Sequence, residues 1–374
     1  MNNIINWDGK WYNSIVSEGY KYTDGVCNLA FFPFFPLFWK GLGLSALNIS
    51  LLNFIIFCLS FWLGLKSESF SFSSLIFALA LPSAIFFMLP YSESLFFLFS
   101  IFIVIGIKNG NHKLQCTGFL LASLTRSVSI IFIPAIIIIY IFNRMKNTKD
   151  TIINIFSCLL GTAIAALIQF IDTGKWLYFL EVQKHWGRIW DLPSFPLTTF
   201  NPEKIMFLDS LSLSMGLLAV YILYDYLNKY LIGNSKKQML SQEDLATLFC
   251  SLYIAAVFFL DVFFTRKNFG HTNIWSINRH VFSTFFGIWI ILKQLNNKNS
   301  KFEIIVKSVF LFIGFIITEV YKYPTQIILY IIFISWFYLG ERKQDLFLKL
   351  LILIVLIYAQ ISLLQEFLSN KWIG

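Results

Sequence analysis

Long apolar runs recur along nearly the whole chain, at about 43–64, 72–89, 93–107, 114–124, 128–142, 151–170, 205–227, 245–264, 280–295, 304–320, 325–339 and 347–367. A helix needs ~20 apolar residues to cross the hydrocarbon core of a bilayer, so these runs predict about 11–12 spanning helices. Several are shorter than ~17 residues. The weakest, from Leu114 to Leu124, reads as a half-helix paired with the next run, an irregularity tolerated where backbone is buried in protein. Only 13% of the residues are charged, against ~25% in soluble domains, which excludes a soluble enzyme with one anchor. The 43 Phe and 11 Trp exclude a disordered chain. The expected fold class is all-α, a polytopic integral membrane protein with 1–374 as one domain.

A net charge of +9 raises the question of a nucleic-acid partner, but the basic residues form short clusters between apolar runs rather than a face, so no nucleic acid is expected. The lipid bilayer is the expected environment. The five cysteines (Cys27, Cys58, Cys116, Cys158, Cys250) are far apart without a CxxC pair and read as core residues. The first twenty residues contain no apolar segment of the kind a cleavable signal needs. If the runs alternate, Lys108/Lys113, Arg144/Lys146/Lys149, Lys229/Lys236/Lys237, Lys293/Lys298/Lys301 and Arg342/Lys343 share one side. The positive-inside rule makes that side cytoplasmic. The outer side then holds 1–40, the Pro90–Glu93 and Thr125–Ser127 turns, 171–204 and 265–279. The inner segments contain no phosphate cradle such as GxxxxGK[ST], and 228–244 reads as a solvated connector, so functional weight falls on the outer segments.

Each outer segment supports two readings. In Trp7-Asp8-Gly9-Lys10-Trp11-Tyr12, Asp8 is either the N-cap of a short helix ended by Gly19, with the aromatics as an interfacial belt, or a carboxylate backed by sugar-stacking rings that could accept a proton from a hydroxyl. Phe31-Phe32-Pro33-Phe34-Phe35-Pro36 cannot form a regular helix interior and reads as a re-entrant entry to the next span. Glu93 and Arg126 stand at outer ends of spans, either as snorkelling anchors or as groups facing the bundle. Asp261 lies within an apolar run and needs a partner the sequence does not name. The 171–204 segment carries Trp176, Tyr178, Glu181, Gln183, Lys184, His185, Trp186, Arg188 and Trp190, a set suited to a ligand that is part sugar and part phosphate, or to an amphipathic helix on the bilayer. Arg266-Lys267 and Arg279-His280 make a phosphate clamp or a lipid-headgroup contact. The histidines (His112, His185, His271, His280) lack close metal spacing, so no metal site is expected.

Taken in order, these pieces resemble the PIG-V family of mannosyltransferases, within the multi-spanning GT-C glycosyltransferases. The matching residues are Trp7-Asp8-Gly9 with Trp11-Tyr12 and Gly19-Tyr20, Phe31-Phe32-Pro33 with Pro36, Pro90-Tyr91-Ser92-Glu93-Ser94, Leu124-Thr125-Arg126, Gln183 to Arg188, and Arg279 ahead of a span. They extend over about three-quarters of the chain. The resemblance implies a GT-C-like bundle with catalytic outer loops. It also implies transfer with inversion of a sugar, mannose being the expected one, from a polyprenyl-phosphate donor to a glycolipid, glycan or protein acceptor. The reaction would take place on the extracytoplasmic or lumenal face of a bacterial cell membrane or an ER-type membrane. Asp8 is the expected catalytic base, and Arg126, Arg188, Arg279 and His185 the expected phosphate-binding cations. Trp7, Trp11, Tyr12, Glu93 and Trp186 are the expected substrate contacts. No cofactor is implied, and a divalent metal has no support from one loop carboxylate with Glu93. Family members usually carry a span ahead of the Trp-Asp-Gly segment, which leaves the expected set one short at the N-terminus. His280 stands where a Tyr is more usual. The alternative class is a polytopic transporter or lipid flippase, for which inverted repeats would be the signature; no convincing repeat is visible.

Overall fold

The structure is a computed structural model. It describes residues 4–66, 68, 70–232, 240–268, 270–296, 301–339 and 343–374. Lys236, Lys237, Lys298 and Arg342 of the expected inner clusters, and part of the 228–244 connector, lie outside the described residues. The chain is mostly helical. Every apolar run falls on helix: α3 (Ala46–Leu65), α4 (Phe72–Leu79), α5 (Glu93–Lys108), α6 (His112–Thr125), α7 (Ser129–Phe142), α8 (Thr148–Thr173), α10 (Pro202–Tyr226), α11 (Gln242–Phe263), α13 (Phe285–Asn296), α14 (Lys301–Ile317), α15 (Pro324–Ser335) and α16 (Lys343–Leu368). Shorter helices lie between them: α1 (Asp8–Glu18), α2 (Phe34–Leu42), α9 (Tyr178–His185) and α12 (Ile277–Phe282).

Length separates these helices. Among the described residues five are long and apolar enough to cross a membrane, namely α3, α8, α10, α11 and α16, and six if the bent pair Pro82–Met88 and Glu93–Lys108 forms one broken span. The expected dozen full spans is therefore not what the helices provide; the remaining runs form helices of 8–17 residues. Proline explains one break. The run 72–89 is interrupted where Leu81 leaves the helical region (ψ 127°) ahead of Pro82, and Pro82–Met88 continues as a buried 3-10 turn that meets α5 at 106°. A second break lies between α12 and α13, where Thr284 Oγ1 donates to Val281 O at 3.0 Å and Gly287 N donates to Thr284 Oγ1 at 3.3 Å. Only glycine fits there, since a Cβ on Gly287 would stand 2.0 Å from Val281 O. The aromatic run with its prolines also departs from expectation. Phe34–Leu42 is a helix with Pro33 as N-cap and Pro36 in its first turn, where a missing N–H breaks no intrahelical bond.

Small residues bring the helices close. A Cβ on Gly118 would meet Ile103 N at 2.9 Å, and one on Gly161 would meet Leu120 O at 2.5 Å, so α5, α6 and α8 pack backbone to backbone. Phenylalanines fill the interior: Phe57 stacks on Phe87 with ring centroids 3.9 Å apart, and Phe132 contacts Phe119, Phe249 and Phe286. Helices α10 and α11 are mostly enclosed, whereas α3, α8 and α16 turn rows of exposed apolar side chains outward, which is the surface that lipid rather than water solvates. Among the described residues, strand content, absent from the all-α expectation, consists of two short antiparallel ribbons and two isolated bridges. One ribbon pairs β1 (Ile189–Trp190) with β2 (Phe264–Thr265), the other β3 (Lys267–Asn268) with β4 (His271–Thr272).

Candidate functional site

The segments 1–40, 171–204 and 265–279, separated in sequence, converge at one end of the bundle. Trp11 meets Trp186 edge-on at 5.8 Å, Phe31 meets Trp186 at 6.3 Å, the β1–β2 ribbon ties the second segment to the third, and Arg279 reaches back to Asp8. Basic residues expected on the inner side, Lys108 and Lys293, pair with Glu68 and Glu243 at the helix ends away from this convergence.

Helix α1 begins at Asp8, with Trp7 as the N-cap in an unusual positive-φ conformation (φ 50°) and without a side-chain cap bond. The N-cap reading of Asp8 is therefore corrected: its carboxylate is spent on an ion pair. Oδ2 accepts from Arg279 NH2 at 2.7 Å, and Oδ1 makes no hydrogen bond among the described residues. Arg279 is presented by α12. Its Nε lies 2.6 Å from Glu93 Oε1, its NH1 donates to Gly374 O at 3.3 Å, and its guanidinium lies over the Tyr91 and Phe86 rings at 5.0 and 5.3 Å. Burial opposes charge on Arg279, but Asp8 and Glu93 outweigh it and raise its pKa.

Glu93 opens α5, and Arg126 caps the antiparallel α6, which is why residues 33 apart meet. Arg126 binds Glu93 Oε1 and donates from Nε to Ser92 Oγ at 3.2 Å. Tyr12 donates to the same Ser92 hydroxyl at 2.9 Å, and burial together with the Glu93 carboxylate pushes its phenol up, keeping it a donor. Glu93 is fully buried behind the two guanidinium groups and lines neither chamber described below. Asp261 gains the partners the sequence did not name: His280 Nδ1 at 3.1 Å and Arg188 NH1 at 3.6 Å.

Around these groups lie two neighbouring spaces that share part of their lining. The larger, about 770 Å³, has aromatic walls from Trp7, Trp11, Phe31, Trp186, Phe200, Trp275 and Trp372 and polar groups that include Gln183, His185 and Arg266. The smaller, about 220 Å³, is lined by Tyr12, Arg126 and Asp261 and by apolar Phe32, Val128, Ile131, Val257 and Leu260. Asp8, Phe31, Arg188, Arg279 and His280 border both. The size and the mix of apolar wall with a few polar groups are those of a ligand site.

The expected residues thus divide. Asp8, Arg188 and Arg279 stand at the boundary, Arg126 and Tyr12 line only the smaller chamber, and Trp7, Trp11, His185 and Trp186 line only the larger. His185 is within 3.4 Å of the Tyr178 hydroxyl. Of the proposed Arg266-Lys267 pair, Lys267 turns away to Asp191 at 2.6 Å, and Arg266 alone enters the chamber. Sequence reasoning missed Phe200, Trp275 and Trp372. Trp275 lies in a segment already singled out, but Trp372 follows the last apolar run and carried no signal. Among the described residues no group of three or more His, Cys, Asp or Glu side chains could hold a metal ion. Comparison with protein-family models, curated proteins and solved structures finds no match.

Proposed function

We propose that this chain is a multi-pass membrane glycosyltransferase that moves a sugar, mannose as the first candidate, from a polyprenyl-phosphate donor to an acceptor hydroxyl, with inversion and with Asp8 as general base. The observation that carries the reading is the position of Asp8, between a chamber of aromatic walls and a smaller one that combines guanidinium groups with an apolar floor. Aromatic walls suit the faces of sugars, and clustered guanidiniums suit a phosphate oxyanion. The resemblance of the ordered sequence series to the PIG-V mannosyltransferases supports the same assignment.

In this reading the donor phosphate lies against Arg126, Arg188 and Arg279, with the first isoprene units along Val128, Ile131, Val257 and Leu260. The acceptor hydroxyl approaches from the larger chamber. Asp8 takes the hydroxyl proton as the acceptor oxygen bonds to the anomeric carbon. The bond from that carbon to the phosphate oxygen breaks, and polyprenyl phosphate leaves with the electron pair. The arginines stabilise the charge that grows on the departing phosphate. That phosphate leaves without protonation, so no second carboxylate acid of the glycoside-hydrolase type is required. Glu93 serves as the counter-charge that fixes two of the guanidiniums.

The test is reconstitution of the full chain in liposomes with a defined polyprenyl-phosphate mannose and a panel of hydroxyl acceptors. The expected product has the anomeric configuration opposite to the donor. Donor movement between leaflets without transfer would instead support the transporter reading.

A further inference from the structure

We infer that the larger chamber selects an acceptor carrying an anionic group, and that Arg266 is the residue that binds it. This inference rests on the transferase reading for the word acceptor, but not for the binding site itself.

The argument starts from charge. Arg126 and Arg279 are matched by Glu93 and Asp8, Arg188 faces Asp261, and Lys371 pairs with Glu366 at 2.9 Å. Arg266 has no carboxylate within ion-pairing distance among the described residues, although it is half-buried and lines the chamber. Burial without a counter-ion disfavours its charge, yet guanidinium remains protonated in proteins. A partly desolvated cation without a carboxylate, facing a ligand chamber, is a place where an anion would be stabilised.

The group is also held in place. It stands between the two ribbons, with its backbone carbonyl accepting from Asn273 N at 3.0 Å. Its guanidinium lies 4.4 Å from the Phe200 ring and 5.1 Å from the Trp275 ring. Gly187, at φ 79°, brings the chain so near the Arg266 stem that a Cβ there would touch Arg266 Cβ and Cδ at 3.4 Å. The guanidinium packs against two rings that also touch each other, with centroids 4.8 Å apart, and its N–H groups meet no acceptor among the described residues, which leaves them to a ligand. The Trp and Phe walls offer ring faces for a sugar, and Arg266 offers donors for an oxyanion, which specifies a saccharide bearing phosphate or carboxylate.

The test is equilibrium binding to the detergent-solubilised full chain, read by quenching of tryptophan fluorescence, with glucose, glucose 6-phosphate, glucuronate and inorganic phosphate as probes. Wild type should bind glucose 6-phosphate or glucuronate at least about tenfold more tightly than glucose, as a charge-assisted hydrogen bond implies, and rising salt should weaken that preference. Which charged sugar binds better separates phosphate from carboxylate recognition, and inorganic phosphate alone should bind more weakly than the better one. Arg266→Gln should abolish the preference, while Arg266→Lys should restore part of it. Equal affinity of wild type for charged and neutral sugars would overturn the inference, and this comparison needs no variant to fold. Retained preference in a folded Arg266→Gln protein would overturn it as well. Charged-sugar binding without any transfer would count against the transferase reading alone, whereas transfer without charge preference would count against Arg266 alone.

Discussion

Arg279 holds Asp8 through a 2.7 Å bond from NH2 to Oδ2 across 271 residues of sequence. The bond orients the carboxylate and joins the first helix of the chain to the elbow between α12 and α13. Arg279→Lys keeps the charge but loses the planar fork that reaches Asp8, Glu93 and the Gly374 carbonyl together. It should lower transfer by about 10-fold or more while leaving the protein folded, as read by size exclusion and transfer rate in parallel.

Glu93 is the more structural of the two carboxylates. Removing it strands two buried guanidinium groups, and breaking a buried ion pair costs ~3–5 kcal/mol. Glu93→Gln should therefore lower the melting temperature in detergent more than Asp8→Asn does. The opposite order would mean that the site is anchored through Asp8.

The α12–α13 elbow is a second point of dependence. Gly287→Ala places a methyl group against the Val281 carbonyl, and such overpacking costs ~1–3 kcal/mol. Because Arg279 rides on α12, transfer should fall further than stability alone explains. Wild-type specific activity in the folded fraction of Gly287→Ala would separate the elbow from the site.

Donor and acceptor should be separable by chamber. Ile131→Trp fills the smaller chamber beside Val257, so the donor KM should rise severalfold with the acceptor KM unchanged. Trp275→Ala strips a wall of the larger chamber and should do the reverse. Equal effects of both substitutions on both substrates would show that the two spaces act as one.

How much of this was legible in the sequence follows from the kind of signal each part leaves. Apolar runs marked the twelve helices α3–α8, α10, α11 and α13–α16, because burial in an apolar surrounding imprints itself locally. Span length was not legible, since Pro82 and the Ser283–Thr284 break interrupt helices that composition reads as continuous. Asp8, Arg126 and Arg279 stood out through ordered motifs, but that Glu93 bridges two of them depends on the antiparallel packing of α5 on α6. Asp261 announced that it needed a partner; its partners, Arg188 and His280, come from two other segments. Trp372 had no signal at all, and Phe200, though inside an outer segment already singled out, had none of its own, because an aromatic residue beside a membrane-like segment is unremarkable until the fold sets it beside Trp275, at 4.8 Å for Phe200 and 6.1 Å for Trp372.

The central claim is that Asp8 removes the acceptor proton. It is tested most directly by the rate of sugar transfer from polyprenyl-phosphate mannose in liposomes for wild type and Asp8→Asn, with donor binding measured on the same preparations. The account predicts a fall of about 10²–10⁴-fold in the variant, the range for loss of a general base, with donor binding retained. Transfer at near wild-type rate by folded Asp8→Asn protein would contradict it.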